Sequence, residues 1–202
     1  MSGSAIAAGI YETTPVTLVD QQYGPLHLDA VGNLKVALVP TLAATYGLSA
    51  SVSQTRASNT NTYDAGDVLG PTGGGTASMN FALGAVSGSC VKITSVSLER
   101  DVAALISGET TYTLHLFNVT QPGAQADEAT FTIASGDRSA YLGFINLGQP
   151  VDYGATLYVE QNNLNKIVKL AGTGIFGVLV TNSSYAAASA SVLKVTINAE
   201  QL

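Results

Sequence analysis

The chain of 202 residues has no tryptophan, one cysteine and two histidines. A single cysteine, Cys90, cannot close an intrachain disulfide, so no covalent staple supports the fold and none is needed at this length. Charge is also scarce. Asp, Glu, Lys and Arg make up 11% of the residues, against roughly 25% in an ordinary soluble domain. Eight Lys and Arg against fourteen Asp and Glu leave a formal net charge of -6, which argues against a phosphate-binding surface and hence against nucleic acid as a partner. No run approaches the 18 apolar residues of a membrane-spanning helix, and the opening MSGSAIAAGI lacks the basic stretch of an export signal. The reading is therefore of a chain with no membrane partner.

What is present is 46% hydrophobic residues at a mean hydropathy of +0.27, with Ser and Thr adding roughly a fifth of the chain, the neutral polar palette of turn-rich β proteins. Apolar residues alternate with period two, and no segment keeps helical spacing over ten or more residues. In Val192 to Ala199, Leu193, Val195 and Ile197 face one way and Lys194, Thr196 and Asn198 the other. Thr111 to Phe117 and Ala155 to Glu160 repeat the pattern. Ile175 to Thr181 is apolar on both faces and predicts a central strand covered twice. Val91 to Leu98 changes phase midway, which predicts a β-bulge near Thr94 and Ser95. Glycine-bearing turns at Gly66, Gly88, Gly108, Pro122-Gly123, Gly136, Gly148, Gly154, Gly172 and Gly174 punctuate these runs. The fold class predicted is all-β: a jelly-roll-like β-sandwich over residues 45 to 202, with about nine strands and an immunoglobulin-like sandwich as the alternative.

Residues 1 to 44 read differently, as an N-terminal arm and a short β-meander. Pro15 to Val19, Leu26 to Asp29 and Leu34 to Val39 form three strand-like segments that place Leu26, Leu28, Leu34, Val36 and Leu38 on one face. So small a sheet cannot bury that face within itself, so these five residues are the candidate partner-binding surface.

Catalytic patterns are missing. The glycine-rich loop Gly70 to Thr76 has no lysine and opens no helix, so it is not a phosphate cradle. No G-x-S-x-G elbow occurs, and neither His27 nor His115 has a metal-ligand spacing around it; strand alternation turns both from the apolar face, as solvated or interface residues. Asp64 and Asp67 fall short of the oxygen set a calcium site requires and read as a turn, and Asp127 with Glu128 is the other carboxylate pair. Asn118-Val119-Thr120 and Asn182-Ser183-Ser184 match the glycosylation sequon by chance in a chain without an export signal. Cys90 reads as a small hydrophobe. Neither an enzymatic activity nor a cofactor or metal is expected.

The segment from Pro15-Val16-Thr17-Leu18-Val19-Asp20 through Gly24-Pro25-Leu26-His27-Leu28-Asp29 to Gly32-Asn33-Leu34-Lys35-Val36 resembles the opening of a group of small structural proteins of tailed-bacteriophage particles, often encoded near the major capsid protein. The resemblance continues through Tyr63-Asp64-Ala65-Gly66-Asp67-Val68, Leu114-His115-Leu116-Phe117 and Tyr141-Leu142-Gly143. It implies a virion protein, a capsid decoration or cement protein assembled in the host cytoplasm, with the major capsid protein or other virion subunits as partners and a homotrimer as its state. A tail or baseplate component and a carbohydrate-binding jelly-roll module are the alternatives.

Overall fold

The computed structural model describes residues 47–71, 76–119 and 125–202. The N-terminal meander, with Leu26, His27, Leu28, Leu34, Val36 and Leu38, lies outside the described residues, as do the Pro122-Gly123 turn and most of the Gly70 to Thr76 loop. Gly70 itself is buried, its N–H donating to Asp127 Oδ1.

The described strands are β1 Gly47–Thr55, β2 Thr62–Tyr63, β3 Val68–Leu69, β4 Met79–Phe81, β5 Cys90–Arg100, β6 Tyr112–Phe117, β7 Tyr141–Leu147, β8 Val151–Asp152, β9 Leu157–Gln161, β10 Lys166–Lys169, β11 Ile175–Thr181, β12 Tyr185–Ala186 and β13 Val192–Gln201. Every pairing is antiparallel. One sheet runs β1-β13-β5-β9-β8 with β10 also on β5; the second runs β3-β11-β6-β7 with β4 also on β11. Taking β1, β4, β5, β6, β7, β9, β11 and β13 as the principal strands, the first sheet has the order first, eighth, third, sixth and the second the order second, seventh, fourth, fifth. That is the jelly-roll order, not the immunoglobulin one. Short strands β3, β8 and β10 extend the sheets, and β2 with β12 forms a separate two-stranded ribbon, so the described strands outnumber the roughly nine expected.

Alternation places the core. Leu193, Val195, Ile197 and Ala199 of β13 meet Val96, Leu98, Leu114, Leu116 and Leu179 between the sheets, all of them buried. The phase change in β5 is a bulge. Asn198 pairs with Ser95 but Ala199 pairs with Ile93, leaving Thr94 as the extra residue, and on either side of it Val91, Ile93, Val96 and Leu98 all point inward. Were Thr94 paired in regular register instead of bulged, one of the two pairs would face water. The same alternation corrects the expectation for Cys90. With Val91 inward its neighbour must face outward, and Cys90 is an exposed free thiol.

Strand β11 is covered on both faces, as its composition predicts. Ile175 and Leu179 join the core between the sheets, whereas Val178 and Val180 pack outward with Val68, Ala77, Phe117 and Ala140 in a second cluster. The β6–β7 connection supplies that outer cover: Ala129 O accepts from Val68 N–H, Gln125 O from Ala77 N–H, and the Phe131 N–H donates to Gly66 O. Gly177 in mid-strand is required by packing, since a Cβ there would stand 2.9 Å from the Phe81 ring and 3.0 Å from Leu114.

Candidate functional site

Two arginines are the largest buried side chains described, each 2% exposed. Both stand at one end of the sandwich, where β1 and β5 finish. Arg56 continues the inward phase of Val52 and Gln54, and Arg100 that of Val96 and Leu98. A strand that keeps its alternation past the last apolar residue carries whatever comes next into the core, and burying a guanidinium requires that its donors be matched.

They are matched by loops. Arg56 donates from Nε to the Tyr63 hydroxyl at 2.8 Å, from Nη1 to Asn59 O at 2.6 Å and from Nη2 to Glu128 Oε1 at 2.8 Å. The Tyr63 hydroxyl donates to Asp127 Oδ1 at 2.5 Å, and Asn61 Nδ2 to Glu128 Oε2 at 2.9 Å. The Asp127-Glu128 pair therefore faces an arginine, with Glu128 held at a positive φ of 66°. Arg100 donates to Glu109 Oε1 and to the Tyr112 hydroxyl, which itself donates to Glu109. Glu109 has a fully buried side chain. The Tyr112 and Tyr185 hydroxyls are 3.3 Å apart, and the Tyr63 and Tyr185 rings, with centroids 5.5 Å apart, join the two clusters. Burial, aided by the neighbouring carboxylates, pushes Tyr63 and Tyr112 above the usual phenol range. Burial works against the Arg100 charge, but the surrounding Tyr112, Tyr185 and Glu109 outweigh it and keep it protonated. Buried groups so fully engaged with one another tie β1, β2, β5, β6, β12 and two connections together; they present no open face to a substrate.

The outer face of the second sheet carries an aromatic cluster. His115 stacks on Phe131 with ring centroids 3.9 Å apart, and its Nδ1 lies 3.0 Å from the Tyr141 hydroxyl. In β7, Leu116 pairs with Gly143 and Phe117 with Tyr141, so Leu142 is a bulge residue that lets both Tyr141 and Phe144 flank His115. His115 does turn from the core between the sheets, as alternation requires, but it is half-buried rather than solvated, and desolvation lowers its pKa to about 4. It is neutral at pH 7.

The Asp64 and Asp67 carboxylates do not converge. Asp67 Oδ2 accepts the Asp64 N–H at 2.7 Å across the turn, and Gly66 sits at φ 97°, the local hydrogen bonding that Asp and Gly bring to a tight turn. Among the described residues no three His, Cys, Asp or Glu stand together as metal ligands, and no helix is long and apolar enough to cross a membrane. The sequence reading did not single out Arg56, Arg100 or Glu109; the signal available was an arginine in core phase at the end of each of two strands.

No family model matches the chain, and no curated protein matches it. Among solved structures it is similar to a chain in the cryo-electron microscopy structure of mud crab dicistrovirus, at 12% identity and a TM-score of 0.32, covering 98% of this chain and 90% of that one. The jelly-roll assignment rests on the strand order above.

Proposed function

We propose that the chain is a structural protein of a tailed-bacteriophage particle, a decoration protein that attaches to the outer capsid surface as a homotrimer and stabilises it. The observation that supports this reading is where the residues of the phage-protein resemblance fall in the fold. Tyr63 and Asp67 hold the loop end through Asp127 and Thr130, and His115 and Tyr141 fasten the β6–β7 connection over the second sheet. The shared residues are fold-locking joints, as expected where a rigid shape is what matters. A charge-poor, apolar-rich chain also suits permanent assembly, whose interfaces are large and hydrophobic.

In this reading residues 1 to 44 form the docking element, with Leu26, Leu28, Leu34, Val36 and Leu38 against a virion subunit, and the sandwich is the displayed body. Co-sedimentation with particles lacking the protein tests it. The full chain should saturate the particles, a chain beginning at Thr41 should stay folded and fail to bind, and Leu28→Asp should weaken binding more than His27→Ala. Full occupancy by the truncated chain would remove the docking role.

A further inference from the structure

We infer that the outer face of the β1-β13-β5-β9-β8 sheet is a binding trough for a neutral oligosaccharide. This goes beyond the proposed attachment to a particle and does not depend on it. The trough runs along β5. Its floor is Ser95 and Ser97, which point away from the core because Val96 and Leu98 point into it. Being small, they lie below their taller neighbours and are 8% and 7% exposed.

At one end of the trough the bulge and the β9–β10 loop border an open, shallow polar depression of about 620 Å³, lined by Lys92, Thr94, Ser95, Asn162, Asn163 and Asn165 together with Leu164 and Glu200. At the other end stand two tyrosines. Tyr158 of β9 pairs across to Glu99 of β5, and Tyr153 lies 6.5 Å from it, ring to ring, at 62°. Tyr153 is 69% exposed although its loop is fixed, with its N–H on Thr156 O and the Gly154 N–H on Asp152 Oδ1. From Lys92 to Glu99 the strand spans about 20 Å, the reach of an oligosaccharide rather than a single sugar.

The chemistry selects the ligand class. The exposed Tyr153 ring beside the half-buried Tyr158 offers an apolar face to the C–H surface of a sugar ring, while amides, hydroxyls and carboxylates meet its hydroxyls. Two cationic groups on this face are paired, Lys92 with Glu200 at 2.6 Å and Lys194 with Glu99 at 3.1 Å, and Lys169 of β10, opposite Cys90, is exposed. Glu160 accepts from the Tyr158 hydroxyl at 3.1 Å and remains exposed. Lys92, Lys169 and Lys194 balance Glu99, Glu160 and Glu200, so the face carries little net charge and suits an uncharged polyol.

The test is titration calorimetry of the full chain against soluble oligosaccharides of glucose, mannose and N-acetylglucosamine, beside Tyr153→Ala and Asn163→Gly. Asn163 sits at φ 58°, so glycine there removes the amide and keeps the backbone. At least one neutral oligosaccharide should bind, and each substitution, at opposite ends of the trough, should weaken it by about tenfold with no change in melting temperature or in particle binding. The inference is overturned if no neutral oligosaccharide binds at millimolar concentration, if only anionic glycans bind, or if Asn163→Gly leaves the affinity unchanged.

Discussion

Glu109→Gln isolates the most consequential contact in the fold. The substitution keeps the side-chain volume and removes the charge that faces Arg100. Arg100 cannot shed its proton, and at 2% exposure it cannot reach water. It is left as an uncompensated buried cation, and the Tyr112 hydroxyl loses its anionic acceptor. Breaking one side of a buried pair costs about 3 to 5 kcal/mol, a large part of the roughly 5 to 15 kcal/mol that holds a domain folded. With a urea dependence of about 2 kcal/mol per molar, the unfolding midpoint should fall by about 2 M. Replacing both partners by apolar groups, Arg100→Met with Glu109→Met, should cost much less than the two single changes added, because no orphan charge remains. Equilibrium urea unfolding followed by circular dichroism measures the parent, Glu109→Gln, the two single methionine variants and the double variant. A Glu109→Gln midpoint within about 0.5 M of the parent, or strictly additive costs in the double variant, would refute the claim that this pair locks the loop end.

Stability should fall as pH drops through the window from 6.5 to about 4, because His115 is held neutral in the folded chain down to about 4 while the unfolded chain takes up its proton near 6.5. The full shift corresponds to roughly 3 kcal/mol, which exposure of the half-buried ring screens to about 1 to 2 kcal/mol; thermal melts across this window should show the slope for the parent and a flatter one for His115→Phe. Cys90, exposed on β5, should react fully with a thiol reagent in the native state, and labelling that appears only in denaturant would contradict its outward placement. Deleting Thr94 removes the extra residue of the β5 bulge and sets Val91, Ile93, Val96 and Leu98 in one unbroken alternation, so the shortened chain should keep its β spectrum and its solubility, and loss of either would contradict the bulge assignment.

Strands such as β6, β9 and β13 are legible because they alternate cleanly, and Val192 to Ala199 needs only period two to be read. The bulge at Thr94 was legible for the same reason, since only an inserted residue reconciles the two phases. Cys90 was misjudged by hydrophobic character when the phase of Val91 already decided the matter. His115 shows the limit of period two, which separates the faces of a strand but does not reveal that a distant connection, here Phe131, covers the outer face. The arginine clusters join residues far apart in the chain, 72 positions for Arg56 and Glu128 and 73 for Tyr112 and Tyr185, a pairing that the strand pattern specifies at the Arg56 and Arg100 end and leaves open at the loop end.

A reconstruction of the native particle by electron cryo-microscopy tests the proposal that this chain decorates the outside of a phage head. It should show jelly-roll densities in threefold clusters on the outer capsid surface, each joined to the shell by density that accounts for residues 1 to 44. Density for this chain confined to the tail or baseplate, or particles from which the chain is missing altogether, would contradict the proposal.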